Sequence, residues 1–454
     1  MQPHGASDRV PATASGPLAR ALAGALARAA TVRLVAGLVR AATAVCLVAL
    51  AAAPSAADEA TERPAVVEEL PLLERAHLTG EWGGLRQRLA DDGFVPYALY
   101  TGSMWSNVGG GIRTGTEFNG YLDTGFGLAL GGYGLWDGLK LQASLHWFQG
   151  RSPSTELVGA NLSQAVNPWE ASNAIRVFDL YLAQQFGDHV TVRAGQLAID
   201  SFFMISKYAS MLLNAAFGDL PSQNLNLDVP VYPVAGPGIL TTAKIGDAVT
   251  GHLGFFTADT PDDTSGFHGL DWKLGRNAGY AAILEVKYAA SPAGLPGIYT
   301  LGGYVAAAHA QFGSDQALET KWSGWLMVDQ ALLVDAQGQP TVGGFARFSY
   351  TPDDDRNVIT YYADAGLNVF GPIPGRADDV LALGGSVMRF TEAYIDSAEG
   401  PGPGSPAGEA VLELGYQITA TPWLVVQPDL QYVIDPEFAD RDATVLGVEM
   451  VVTF

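Results

Sequence analysis

From Phe94 to the last residue, apolar and polar side chains alternate with a period of two. The final segment shows it most plainly. Leu446, Val448, Met450, Val452 and Phe454 are apolar, with Gly447, Glu449, Val451 and Thr453 between them. Successive side chains of a β-strand point to opposite faces, so this segment has one greasy and one mixed face. The pattern recurs upstream. Leu139, Leu141, Ala143, Leu145 and Trp147 oppose Lys140, Gln142, Ser144, His146 and Phe148. Ala282, Leu284, Val286 and Tyr288 oppose Ile283, Glu285 and Lys287, while Val192 and Ala194 oppose Arg193 and Gly195. Leu412, Leu414, Tyr416 and Ile418 oppose Glu413 and Gln417.

The alternation predicts strands over 94–107, 117–133, 138–150, 174–187, 190–200, 237–247, 250–259, 279–291, 297–311, 320–335, 341–352, 358–371, 378–391, 409–421, 423–434 and 444–454. That is about 16 segments, an even number, as a single-chain bacterial barrel requires. The expected fold is all-β: a transmembrane antiparallel β-barrel of about 16 strands over 94–454. Connections at Gly187-Asp188, Ala248-Val249, Thr421-Pro422 and Pro352–Arg356 read as tight, and those at 151–173, 201–236, 260–278 and 392–408 as long. Barrels place short turns on the periplasmic side and long loops outside. The 201–236 loop carries Phe202, Phe203, Met204, Tyr208, Met211, Leu212 and Leu213, too apolar for a solvated loop, so it is expected to pack inside the barrel.

Ahead of the barrel, Leu78–Gly93 predicts a short helix over 78–92, N-capped by Thr79 and ending at Gly93. Residues 58–77 are acidic and contain Pro, and read as a flexible periplasmic lead. Residues 1–57 read as an export signal: Arg33 and Arg40 precede the apolar run Ala41–Ala53, and Ser55 and Ala57 suit cleavage after Ala57. That run is shorter than the roughly 20 residues a helical span needs.

Composition fits the barrel. Charged residues are only 16% of the chain, whereas Gly numbers 54 and the aromatic residues Tyr, Phe and Trp are frequent. The one cysteine, Cys46, falls in the signal segment, so thiol catalysis, Cys-ligated metals and disulfides are excluded from the mature chain. The net charge is -22; without the first 57 residues 20 basic and 46 acidic residues remain, a net of -26. Such a chain lacks the basic footprint of a nucleic-acid binder. No cofactor or metal is expected. The seven His show no metal spacing, Gly109-Gly110-Gly111 is not framed by a strand and a helix, and Asp353-Asp354-Asp355 reads as a solvated turn. No convincing Ser/His/Asp set argues for an enzyme.

Three stretches resemble the carbohydrate-selective porins of the OprB family. They are Leu78–Gly93 with its Leu-Thr-Gly-Glu-Trp-Gly-Gly-Leu-Arg core, Arg193-Ala194-Gly195-Gln196 followed by Asp200 and Phe202-Phe203, and Glu413–Tyr416 leading into Thr421–Tyr432. The resemblance spans about residues 78–454. It implies an outer-membrane channel that passes glucose and other small sugars down their gradient, with lipid and lipopolysaccharide around it. The terminal aromatic strand ending at Phe454 resembles the signal read by the barrel assembly machinery. A monomer and a trimer are both compatible with the pattern, as is selectivity for cations or small organic acids.

A sugar channel needs aromatic faces for the ring and polar groups that exchange hydrogen bonds with hydroxyls, binding weakly enough to let go. The candidates on the non-lipid face are Arg193, Glu285, Lys287, Arg347, Glu413, Gln427, Asp429 and Gln431, with His146, Asp123 and Trp169 behind them. Arg193 leads, because it precedes a Gly within a matching stretch. Each has a plainer reading as a solvated or paired wall residue. Glu285 and Lys287, two apart on one face, read as a wall pair, and Gln427, Asp429 and Gln431 as a polar ladder. Trp105, Trp136, Trp147 and Trp423 read as an interfacial belt.

Overall fold

A computed structural model describes residues 69–160, 173–260, 268–275, 277–312, 317–352, 356–397 and 399–454. The expected export signal with Cys46, most of the lead, Trp169 and Asp353–Asp355 lie outside the described residues.

Sixteen strands form one closed antiparallel barrel, each paired with its sequence neighbours and β1 sealed against β16. They are β1 Phe94–Gly109, β2 Gly115–Ala129, β3 Leu139–Gly150, β4 Ile175–Phe186, β5 Val190–Leu197, β6 Gly236–Ile245, β7 Val249–Thr257 and β8 Tyr280–Ala290. The second half is β9 Gly297–Ala308, β10 Glu319–Val334, β11 Pro340–Tyr350, β12 Ile359–Phe370, β13 Val380–Phe390, β14 Ala410–Thr421, β15 Leu424–Ile434 and β16 Ala443–Thr453. Closure satisfies every strand edge, the condition for strands to cross lipid. At the seam, Ser103 faces Glu449 and Trp105 faces Gly447.

The sidedness matches the alternation. Leu284, Leu301, Leu326, Leu412 and Leu446 are exposed on the outer surface, while the intervening residues point inward and are buried or half-buried. Trp147 and Trp136 are exposed, in keeping with a belt. Trp105 is not a belt residue. It is fully buried among Leu157, Val158, Val433 and Val445 on the inner face, because it shares parity with Ser103 and Asn107. Parity along the strand, rather than residue type, decides which side a Trp takes.

The connections on the side of the chain termini are short, from two residues at 422–423 to nine at 130–138. The long ones, 151–174, 198–235, 258–279 and 391–409, lie at the other end. The 351–358 connection also belongs to that end, so Pro352–Arg356 is not one of the short-side turns. At the terminal side the helix α1 spans only Leu85–Asp91. Gly83 and Gly84 both take positive φ, which blocks a regular helix from Thr79, and Gly84 rather than Thr79 stands at the N-cap. The Thr79 hydroxyl instead accepts hydrogen bonds from Trp82 and Arg86. Gly93 ends the helix with φ +82°, as expected.

Segment 198–235 folds into the barrel and supplies a core there. Phe203, Met204, Leu220, Leu227 and Val229 pack against Leu240, Phe256, Ile283, Trp325 and Tyr362 of the inner wall. Wall glycines make room: a Cβ at Gly343 would lie 2.5 Å from the Tyr208 ring, and one at Gly384 would lie 2.4 Å from Leu212.

Candidate functional site: the inner wall and its infolded loop

The infolded segment brings its own unsatisfied backbone groups into the lumen, and these must find partners there. Carboxylates on three different strands accept them. Glu285 on β8 accepts from the Met204 N–H at 2.9 Å, and Asp329 on β10 from the Tyr208 N–H at 3.0 Å and the Ser206 hydroxyl at 2.6 Å. Glu413 on β14 accepts from the N–H groups of Leu213 and Asn214, the latter at 2.9 Å. Loop carbonyls are served by cations and amides. Arg347 donates to the carbonyls of Ala216 and Gly218, Lys321 to that of Asn226 at 2.9 Å, Asn368 to that of Tyr208 and Gln427 to that of Met211. The Asn226 side chain pairs with both backbone groups of Ile359, as a short strand would.

Arg347 is held from behind. It makes a buried ion pair with Asp364, whose carboxylate also accepts from the Tyr362 hydroxyl at 2.9 Å. The register of β11 on β12 sets Arg347 directly opposite Asp364. A buried guanidinium is tolerable only when its donors are so filled.

Thus Glu285, Arg347, Glu413, Gln427 and Gln431 are buried between wall and loop. Gln431 accepts from the Asn214 side chain at 3.0 Å and donates to Asp429 at 3.0 Å, so the ladder on β15 exists as one face. Glu285 and Lys287 are an ion pair at 3.4 Å. Arg193 and Lys287 remain partly exposed on the inner wall. Arg193 donates to the Thr242 hydroxyl at 3.1 Å and its guanidinium lies 5.0 Å from the Phe202 ring centre. His146 pairs with Asp123 at 3.4 Å inside an aromatic group of Tyr121, Phe148, Phe178 and the loop residue Tyr232.

Asp329, Lys321, Asp364 and Tyr362 were not among the sequence candidates. The inward parity of Lys321, Trp325 and Asp329 along 320–335 is visible in the sequence, but the Arg347–Asp364 pairing needs the strand register. Among the described residues no group of three or more His, Cys, Asp or Glu is arranged to hold a metal.

A closed antiparallel barrel with a greasy exterior, a polar interior and one long loop folded inward defines the class: a porin of the Gram-negative outer membrane. The chain belongs to the carbohydrate-selective porin, OprB family, whose profile matches residues 119–454. The 409–432 stretch lies within that match, and Leu78–Gly93 precedes it. The chain is 24% identical to Porin B of Pseudomonas aeruginosa over 422 residues, covering 83% of this chain and 91% of that protein. The high-pH structure of Pseudomonas putida OprB superposes with a TM-score of 0.74 at 22% identity, covering 84% of this chain and 99% of that one. The low-pH structure of the same protein gives a TM-score of 0.56 at 18% identity. Family and fold point to a channel rather than an enzyme.

Proposed function

We propose that this porin is a passive diffusion channel for glucose and other small sugars, carrying them across the outer membrane to the periplasm. The observation that carries the reading is the infolded loop, hydrogen-bonded through its backbone to carboxylates on three strands. A loop so tied is held against the wall, an arrangement that suits a channel for downhill diffusion. The inner wall beyond the loop offers Tyr97, Asp123, Tyr181, Arg193 and Lys287 partly exposed, the mixture of rings and hydrogen-bonding groups that a sugar needs. In this reading Arg193 and Lys287 touch the solute, whereas Glu285, Arg347, Glu413, Gln427, Asp429 and Gln431 act mainly by shaping the wall.

The same reading includes export through residues 1–57, a periplasmic lead at 58–77, lipopolysaccharide around the outer half, and recognition of the last strand by the barrel assembly machinery. Phe454 sits where its N–H donates to the Ala98 carbonyl across the seam. The test is ion conductance of the purified protein in planar bilayers with glucose titrated in. Glucose should reduce the current in a saturable way. If an organic acid or a cation blocks and glucose does not, the sugar assignment is wrong.

A further inference from the structure

On the side of the short turns, Arg193 on β5, Thr242 on β6, His252 on β7 and Lys287 on β8 form a polar row on the inner wall, each partly exposed. Arg193 donates to the Thr242 hydroxyl at 3.1 Å, and that hydroxyl lies 3.2 Å from Nδ1 of His252. Strand pairing sets Lys287 opposite Thr250, one inward position nearer the turn than His252. Among the described residues, the carboxylate that meets this row is Glu285, and it is fully buried. One of its oxygens accepts from the Met204 N–H and the Trp325 indole, and the other faces Lys287. The charge of Lys287 is thus offset, whereas Arg193 has neutral neighbours: the Thr242 hydroxyl, the Tyr181 hydroxyl and the Phe202 ring. Lys140 on β3 and Lys244 on β6 are exposed on the same inner face and flank Arg193, since Ala183 pairs with both Lys140 and Arg193, and Lys244 follows Thr242 by one inward position. Asp123 and Asp179 lie further up the wall, toward the long loops.

The geometry points to a subsite for a sugar acid, an aldonate or uronate whose carboxylate meets the Arg193 guanidinium while its carbon skeleton lies against Phe202 and Tyr181. The inference rests on the sugar-channel reading above and widens its solute class from neutral sugars to singly charged anionic ones. A guanidinium only donates hydrogen bonds and an ionised carboxylate only accepts them, whereas a hydroxyl brings a donor that Arg193 leaves unused. Hydrogen bonds between charged partners are also roughly twice as strong as neutral ones. The Phe202 ring lies 5.0 Å from the guanidinium and 6.3 Å from the Tyr181 ring, edge to face, which sets an apolar corner beside the charge. With Lys287 offset by Glu285, Arg193 supplies one net charge, matching one carboxylate. Lys140 and Lys244 raise the local concentration of anions at this end of the channel, against the acidity of the chain as a whole.

The test uses the full protein in planar bilayers, with glucose, gluconate and acetate titrated separately and their affinities read from block of the ion current. Gluconate should bind about fivefold more tightly than glucose, the margin of a charged over a neutral hydrogen bond. Acetate, which has the carboxylate without the carbon skeleton, should bind more weakly than gluconate. Raising KCl from about 0.1 M to about 1 M, where the screening length falls from about 10 Å to about 3 Å, should weaken gluconate block and leave glucose block unchanged. Arg193→Gln, first checked for the heat-modifiable gel mobility of a folded barrel, should cost gluconate about tenfold in affinity and glucose about threefold. The acetate and salt arms need no variant, so they decide the matter even if Arg193→Gln does not fold. If glucose blocks but gluconate binds no more tightly, or its block ignores salt, the subsite is wrong and the sugar channel stands. Equal binding of acetate and gluconate, or an equal loss for both sugars in folded Arg193→Gln, also overturns the subsite. If neither glucose nor gluconate blocks, the sugar reading falls and the subsite with it.

Discussion

Replacing Glu413 by Ala removes the acceptor for two loop amides at once, the N–H groups of Leu213 and Asn214. Both point into the wall between β13 and β15, where Gly384 lets Leu212 and Phe217 come close. Leaving a buried donor without a partner costs about 1–3 kcal/mol, so two cost roughly 2–6 kcal/mol. The lumen is wet, and water entering the gap recovers part of this. An effective loss of about 2–3 kcal/mol follows, and at 1.4 kcal/mol per factor of ten the open population of segment 210–218 rises about 30- to 150-fold. The barrel should remain folded, because the strand ladders do not involve this side chain. Amide hydrogen exchange on the detergent-solubilised protein reads the effect directly: segment 210–218 should exchange about 30- to 150-fold faster, with β-strand amides unchanged. Open-channel current noise should rise in parallel. Glu413→Gln, which keeps one oxygen acceptor, should fall between. Exchange within threefold of wild type in a folded Glu413→Ala barrel would refute the idea that the wall carboxylates hold the loop.

Three further outcomes are expected. Gly447→Leu should lower the temperature at which the folded gel band converts to the unfolded one, because a Cβ there would lie 1.9 Å from the Trp105 ring at the β1–β16 seam; overpacking of this kind costs about 1–3 kcal/mol. Leu284→Arg, in the middle of a lipid-facing strand face, should destabilise the barrel in vesicles by about 2–4 kcal/mol in reversible denaturant unfolding, while Lys287→Gln on the inner face of the same strand should change it far less. Burial pushes the carboxyl of Glu437, in the 435–442 loop, up to about 8, with Glu409 reinforcing the shift and the Tyr394 hydroxyl opposing it. The folded form therefore holds a proton that the unfolded one has lost between pH of about 4.5 and about 8, and the packing of loops 391–409 and 435–442 is strongest below that window and weakens as pH rises through it. Protease nicking of these loops should be slower at pH 5 than at pH 8.5, and Glu437→Gln should abolish the difference.

The sequence by itself determined the barrel. Period-two alternation is a local property of the backbone, so Leu139–Gly150, Tyr280–Tyr288 and Leu446–Phe454 announce both their conformation and their lipid face without knowing their neighbours. The apolar run Phe202–Leu213 announced equally that its loop could not lie in water. What the sequence could not determine is which wall residues that loop would occupy. Arg347 meets Asp364 because β11 and β12 pair in one register, and Glu413 meets Leu213 and Asn214 across 200 residues of chain. Trp105 reads like any belt Trp until strand parity turns it inward. The terminal sequence Thr79–Gly93 promised a longer helix than the two positive-φ glycines permit. Strand identity is written in neighbours along the chain, whereas the division of the inner wall between holding the loop and facing the passage arises from contacts between segments far apart in sequence. Only closure of the barrel brings those together.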